Sequence, residues 1–299
     1  EITYGDWSSD VCSSDLFELP AGAVTPGERR AVTTLDDDGQ PVVGRIHVHV
    51  GSGAVILLPD GQLVGRREGK FDLTERKFEP LDKDKFAARL AGEFPGFKTK
   101  TSSHYIYVYN SSEEFQFGTG RILETMLPGV KSWIEGCKID THNPPLPLVV
   151  VMFHTEAEFR RYRQMPAGVV AYYDPQTNRV FMYEQSRLSQ VRPDLALGQA
   201  ISTIAHEGVH QILHNIGVQQ RLSVWPMWLS EGLAEFFAPT SVGAKLKWQG
   251  PAHVNDLRMF ELEQYVRGNA AKASNGELVE HTVLAGRLTS TGYASAWAL

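Results

Sequence analysis

The run from Leu195 to Ile216 limits what this chain can fold into more than any other stretch. Leu197, Ile201, Ile204, Ala205, Val209, Ile212 and Ile216 recur at helical spacing, so the segment predicts a long, mostly buried helix with Gly217 as its stop. Inside it lies His206-Glu207-Gly208-Val209-His210, with His214 one turn further on. Residues four apart on a helix share a face, so the three imidazoles form one stripe. With 10 histidines in 299 residues, chance supplies an H-E-x-x-H spacing on the order of 0.02 times. The pattern asks for a chemical reading.

Two imidazoles one turn apart can both reach a Zn2+ ion, which takes N and O donors at roughly 2.0 to 2.2 Å in a tetrahedral shell. Glu207, beside the stripe, can take a proton from a water whose pKa the metal lowers toward about 7. Such a site needs one more protein ligand and one open position. His214 is too far to serve, because residues 206 and 214 lie about 12 Å apart along a straight helix. The later histidine of the metzincin pattern is absent, since position 216 is Ile and position 213 is Leu where that pattern needs Gly. The remaining candidate is Glu231, in WPMWLSEGLAEFFAP. That stretch predicts a second helix, with Pro226 near its first turn and Ala238-Pro239 at its end. Trp228, Leu229, Leu233, Phe236 and Phe237 make it apolar, yet Glu231 and Glu235 sit one turn apart within it. A carboxylate buried without a partner is costly, and a metal with its histidines is a partner.

The rest of the chain reads as α+β. From Pro41 to Arg67 apolar runs flank Asp60-Gly61, a hairpin signal, and residues 82–94 have helical spacing ending before Pro95. The triple acid Asp36 to Asp38 reads as a solvated turn, because the alternating ligands and closing Glu of a calcium loop are missing. Residues 104–110 alternate as a strand, and SSEEFQFGTGRILETML begins with capping residues and continues as a helix. LPLVVVMFH (146–154) is a buried strand, EAEFRRYRQM a short helix, and GVVAYYD and NRVFMYEQ two strands about the turn DPQTN. Strands followed by a long helix and then mainly helices predict a mixed or antiparallel sheet packed on that helix. Residues 17–98 form a small β-rich unit with one helix, and residues 99–299 the main domain.

The first 16 residues are excluded from this reading. DWSSDVCSSDL, residues 6–16, resembles the translation of a sequencing-library adapter, so Glu1 to Leu16 is taken as a non-native segment. It holds Glu1, Asp6, Asp10 and Asp15 and no base, so 29 Lys and Arg then face 31 Asp and Glu and the net charge moves from −6 to −2. A near-neutral chain offers no electrostatic argument for nucleic acid or an anionic membrane. Cys12 leaves with the segment, and the one remaining cysteine, Cys137, reads as a small buried residue or a surface thiol. No apolar run approaches the 18 or more residues of a membrane span. The ending YASAWAL stops without Gly, Pro or a basic last turn, so truncation at the C-terminus is expected.

H-E-x-x-H followed 21 residues later by the Glu of S-E-G-L-A-E resembles the gluzincin zinc peptidases, and among them largely uncharacterised bacterial families with a peptidase MA-like domain. The likeness extends to the Trp-Leu before that run and to a downstream Tyr-x-x-x-Trp-Ala-Leu helix, and it covers roughly residues 100–299. It implies a zincin-like fold and a zinc-dependent hydrolase cleaving peptide bonds with a metal-activated water. His206, His210 and Glu231 match the zinc ligands and Glu207 the general base. Glu235 matches the position of an acid that orients a ligand histidine, though an exposed helix acid would look the same. Tyr293, by its place on the later helix, is the candidate donor to the oxyanion, or a packed helix tyrosine. His142, His154 and His214 read as core or surface residues. The strand Arg179 to Glu184 is the candidate edge for pairing with an extended peptide or protein substrate. The likeness also implies an envelope or extracellular site. The alternative is a non-catalytic zincin-like module that binds a partner or keeps the metal for stability; the sequence sets no oligomeric state.

Overall fold

The computed structural model describes residues 24–36, 38–166, 168–185, 193–223, 225–241, 247–248, 250–251, 253–269 and 275–299, so the adapter-like segment and Cys12 lie outside the described residues, as does the side chain of Leu197. The first described strands are β1 (Val24–Pro26), β2 (Ala31–Leu35), β3 (Pro41–Val50), β4 (Gly53–Leu57), β5 (Leu63–Arg66) and β6 (Asp72–Leu73). They form an antiparallel sheet in the order β5-β4-β3-β2-β6, with β1 also on β3. The hairpin predicted at Asp60-Gly61 joins β4 to β5. Gly61 has φ +87°, a conformation that favours glycine, and its N–H donates to Leu58 O at 2.9 Å. At the acidic turn, Asp36 Oδ1 accepts from the N–H groups of Asp38 and Gln40, a local turn as expected.

Next come α1 (Lys83–Glu93), β7 (Lys98–Thr101), β8 (Tyr105–Tyr109), α2 (Glu113–Gly136), β9 (Leu148–Thr155), α3 (Glu156–Tyr162), β10 (Ala171–Asp174) and β11 (Arg179–Gln185). The five strands make a second sheet, in the order β10-β11-β9-β8-β7. It is mixed: β8, β9 and β11 run parallel, and the two outer strands pair antiparallel. Parallel strands are covered on both faces, which is why β8 and β9 are apolar almost throughout. Tyr105, Tyr107, Leu148, Val150, Val180 and Met182 face α2 and the histidine helix. Ile106, Val108, Val149, Val151 and Phe181 face the other way, onto Phe86 and Leu90 of α1 and Phe159 of α3. The helix read as part of the N-terminal unit thus packs on the second sheet.

The edge expectation for Arg179 to Glu184 is overturned over Arg179–Met182. These residues lie in β11, which pairs with β9 on one side, and Arg179–Met182 also pair with β10 on the other. The turn after Asp174 closes tightly, with Asn178 at φ 63° donating its N–H to Asp174 O at 2.8 Å, and so puts the earlier strand, β10, at the rim. The sequence showed a hairpin but not which arm lay outside. Over Arg179–Met182 no free edge remains on β11 for a peptide.

The chain continues with α4 (Pro193–Asn215), α5 (Met227–Phe237), a ribbon of β12 (Thr240–Ser241) and β13 (Lys247–Trp248), then α6 (Asp256–Asn269), α7 (Asn275–Leu284) and α8 (Ser290–Ala298). The described residues therefore hold eight helices in a mixed α+β arrangement, none long and apolar enough to cross a membrane.

Buried amides lock α4 to the second sheet. Gln211 Nε2 donates to Val149 O at 3.0 Å and Asn178 O at 2.9 Å, and the side-chain amides of Asn215 and Asn178 bond reciprocally. Arg221, just past α4, fastens the first sheet to the second. It donates to Gly61 O at 2.8 Å, to Pro175 O at 2.6 Å and to Gln176 O at 2.7 Å, while His47 Nε2 donates to Arg221 O at 2.9 Å. Of the two readings of Cys137, the buried one is corrected: this residue caps the C-terminus of α2, beyond the last apolar position Ile134, and is exposed.

Candidate metal centre

Two glycines decide how closely the helices around the site approach. A Cβ at Gly208 would lie 2.4 Å from Leu123 Cδ2 and 2.7 Å from Met126 Cε, so α2 closes onto α4 where the motif has no side chain. A Cβ at Gly232 would lie 2.5 Å from the backbone oxygen of Ala296, so α8 rests directly on α5. Between these contacts, one side of α4 turns His206 and His210 toward α5. Glu231 and Glu235, one turn apart, face back from α5, and all four residues are buried.

His206 Nε2 lies 3.0 Å from Glu231 Oε2 and 3.2 Å from His210 Nε2, while His210 Nε2 lies 3.5 Å from Glu231 Oε1. Two ligands held about 2.05 Å from one ion at a tetrahedral angle are separated by about 3.3 Å, so each of these spacings fits a shared cation. Proton bookkeeping points the same way. His206 Nδ1 is 3.1 Å from Glu235 Oε1, which places the proton of a neutral imidazole on Nδ1 and leaves a lone pair on Nε2. That lone pair then faces another imidazole nitrogen and a carboxylate oxygen. A lone pair facing a carboxylate oxygen is satisfied by a positive charge, whether a proton or a metal cation.

The electrostatics show how strongly the carboxylates call for that charge. Burial opposes charge on His206, but the Glu231 and Glu235 carboxylates outweigh it and lift its pKa well above the usual imidazole value. Burial also acts to raise Glu231, yet His210 and His206 hold it far below the carboxylate range. Glu207, Glu231 and Glu235 bring three buried carboxylates against one buried guanidinium nearby, Arg258. A divalent cation would cancel the excess.

Glu207 stands beside the three-atom cluster rather than in it. Its Oε2 accepts from the N–H of Tyr173 in β10 at 2.8 Å. Burial raises its pKa, opposed by His206 and His210. Glu235 has the place expected of an orienting acid, and it is buried rather than exposed. Tyr293 comes from α8: its ring centre lies 6.2 Å from that of His206 and 5.0 Å from the Arg258 guanidinium carbon. His214 stays out of the cluster, with its ring stacked on Tyr173. His142 and His154 lie at the surface, His154 with Nδ1 3.3 Å from Glu184.

Sequence reasoning missed Arg258 and Asn255, which bond Glu235 from the start of α6. Arg258 and Glu261 are three apart, a pairing that reads as a solvated helix face. It also missed the Tyr173 N–H, because a backbone donor leaves no trace in residue type.

These observations define a coarse class: a mixed α+β chain whose buried His206-His210-Glu231 cluster could bind a metal ion. Residues 200–299, a third of the chain, match a family model described as a protein of unknown function (DUF1570). The matched region contains His206, Glu207, His210, Glu231, Glu235, Asn255, Arg258 and Tyr293, whereas Tyr173 and both large sheets precede it. No curated protein matches the chain.

Proposed function

We propose that this chain is a zinc-dependent hydrolase of the gluzincin type, with a zincin-like fold, that cleaves peptide bonds. The observation that carries the reading is the convergence of His206 Nε2, His210 Nε2 and a Glu231 oxygen from two helices, with a second carboxylate, Glu207, alongside. Zinc held by those three residues would contribute Lewis acidity, which acidifies a water and polarises a carbonyl oxygen.

The protein's own groups do the rest. Glu207, held by the Tyr173 N–H and kept from full hydration, is placed to accept the proton of the attacking water and return it to the leaving amine. Its burial-raised pKa suits it to a proton that must be both taken and released. Glu235 keeps the His206 ring turned so that Nε2 faces the cluster. The peptide bond as substrate rests on the sequence resemblance; the site itself supports metal-assisted hydrolysis.

The test is cleavage of a peptide library by the whole chain, with zinc added and with a chelator. Cleavage that requires zinc is expected, and Glu207→Gln should lower turnover by about 10²- to 10⁴-fold with zinc content unchanged. A protein that binds one zinc and cleaves nothing would instead be the non-catalytic module. Wild-type turnover in Glu207→Gln would remove Glu207 from its role.

A further inference from the structure

We propose that Arg258 is a positioning residue of the metal centre: by clamping Glu235 it holds the His206 imidazole with Nε2 turned toward the cation. The proposal rests on the metal-binding reading of His206, His210 and Glu231 and is independent of whether the chain hydrolyses anything.

The Glu235 carboxylate is held from three directions. Oε1 meets His206 Nδ1 at 3.1 Å and accepts from Arg258 Nη2 at 2.7 Å, and Oε2 accepts from Asn255 Nδ2 at 2.9 Å. Arg258 is itself fixed. Its Nη1 donates to Glu261 Oε2 at 2.8 Å, the Tyr293 ring covers its guanidinium, and 6% of the residue is exposed. Asn255 Oδ1 accepts from the Arg258 N–H at 3.2 Å, so the residue that caps α6 also bonds Glu235. The start of α6 is thus wired to a metal-facing histidine through one carboxylate.

A charged, hydrogen-bonded pair in a buried setting has a defined geometry that a solvated pair lacks, and removing one member leaves the other uncompensated. Without Arg258, Glu235 loses its one charged partner, keeps Asn255 Nδ2 and His206 Nδ1, and is freer to swing from Nδ1. His206 then loses the contact that sets its ring orientation and tautomer. A guanidinium suits the task because its fork reaches Glu235 and Glu261 at once, which a single ammonium does less well.

The experiment measures zinc dissociation constants by competition with a chromophoric chelator for the wild-type chain, Arg258→Met, Arg258→Lys, Glu235→Gln and the double variant Glu235→Gln/Arg258→Met. Urea midpoints of the zinc-free proteins are read in parallel. Arg258→Met should bind zinc about 10-fold more weakly, the scale of lost outer-sphere partners, and Arg258→Lys should recover most of that loss. The double variant should bind no more weakly than Glu235→Gln, since Arg258 acts through that carboxylate. Unchanged or tighter zinc binding in Arg258→Met would overturn the proposal, as would losses that add in the double variant. A purely structural arginine would lower urea midpoints and leave the zinc constants alone. If Arg258→Met does not fold, Asn255→Ala removes the other donor to Glu235, and unchanged zinc binding there would count against the clamp. A wild-type chain that binds no zinc would sink the metal reading itself, whereas zinc binding without peptide cleavage would sink only the hydrolase.

Discussion

Gly232→Ala should destabilise this protein, although the same change in an ordinary helix stabilises it. Helix propensity favours alanine over glycine by about 1 kcal/mol in a helix interior. In α5, however, the added Cβ would sit 2.5 Å from Ala296 O and 3.0 Å from its carbonyl carbon, where ordinary contact begins at 3.4 Å. The shortfall is roughly 0.9 Å, and the obstacle is the backbone of α8, which has no rotamer to change. Overpacking costs about 1 to 3 kcal/mol, and a backbone obstacle belongs in the upper half of that range, so a net loss of about 1 to 2 kcal/mol is expected. Because Gly232 follows Glu231, the shift should also weaken zinc binding. Urea unfolding and a zinc titration measure the two effects, with Gly92→Ala as the control. At Gly92 in α1 nothing lies within 4 Å of the added carbon, so that variant should be neutral or more stable. A Gly232→Ala protein as stable as wild type would refute the packing argument and, with it, the account of what fixes Glu231 opposite the histidines.

Two further changes probe the surroundings of the cluster. If the Tyr293 hydroxyl stabilises the developing oxyanion, Tyr293→Phe should cut kcat by about 10- to 10³-fold with zinc affinity and urea midpoint nearly unchanged; equal turnover would leave the ring as packing against His206 and Arg258. His214 has a buried, unpartnered Nδ1, and burial, reinforced by the charges of His210, Arg221 and His47, pushes its pKa down to about 3. The unfolded chain gains this proton near pH 6.5 and the folded chain refuses it, so stability present above pH 6.5 is lost as pH falls toward 3. From pH 7.5 to 5.5 the loss is at most about 1.4 kcal/mol, and His214→Phe, which keeps a ring against Tyr173, should show that much less acid sensitivity in urea midpoints. Identical pH profiles would show that His214 titrates normally.

Spacing along one helix made His206, Glu207 and His210 legible, because four residues bring two side chains to one face whatever the tertiary fold. Glu231 was legible for a different reason: a carboxylate within Trp228, Leu229, Leu233 and Phe236 needs a buried partner. Periodicity reports that a face is covered and is silent about what covers it. So α1 could be found without knowing that Phe86 and Leu90 face β8 and β9, and the hairpin of β10 and β11 without knowing which arm was outer. Arg258 was hidden by the same limit, since its local pairing with Glu261 satisfies a surface reading and only the fold brings Glu235 to it. Gly208 and Gly232 carry the deeper lesson. In H-E-x-x-H and in S-E-G-L-A-E they look like spacers, yet each stands where another element comes too near for a Cβ, and each follows a glutamate of the site. The letters beside the site's glutamates therefore encode how closely α2 approaches α4 and α8 approaches α5, the two helices that carry the ligands.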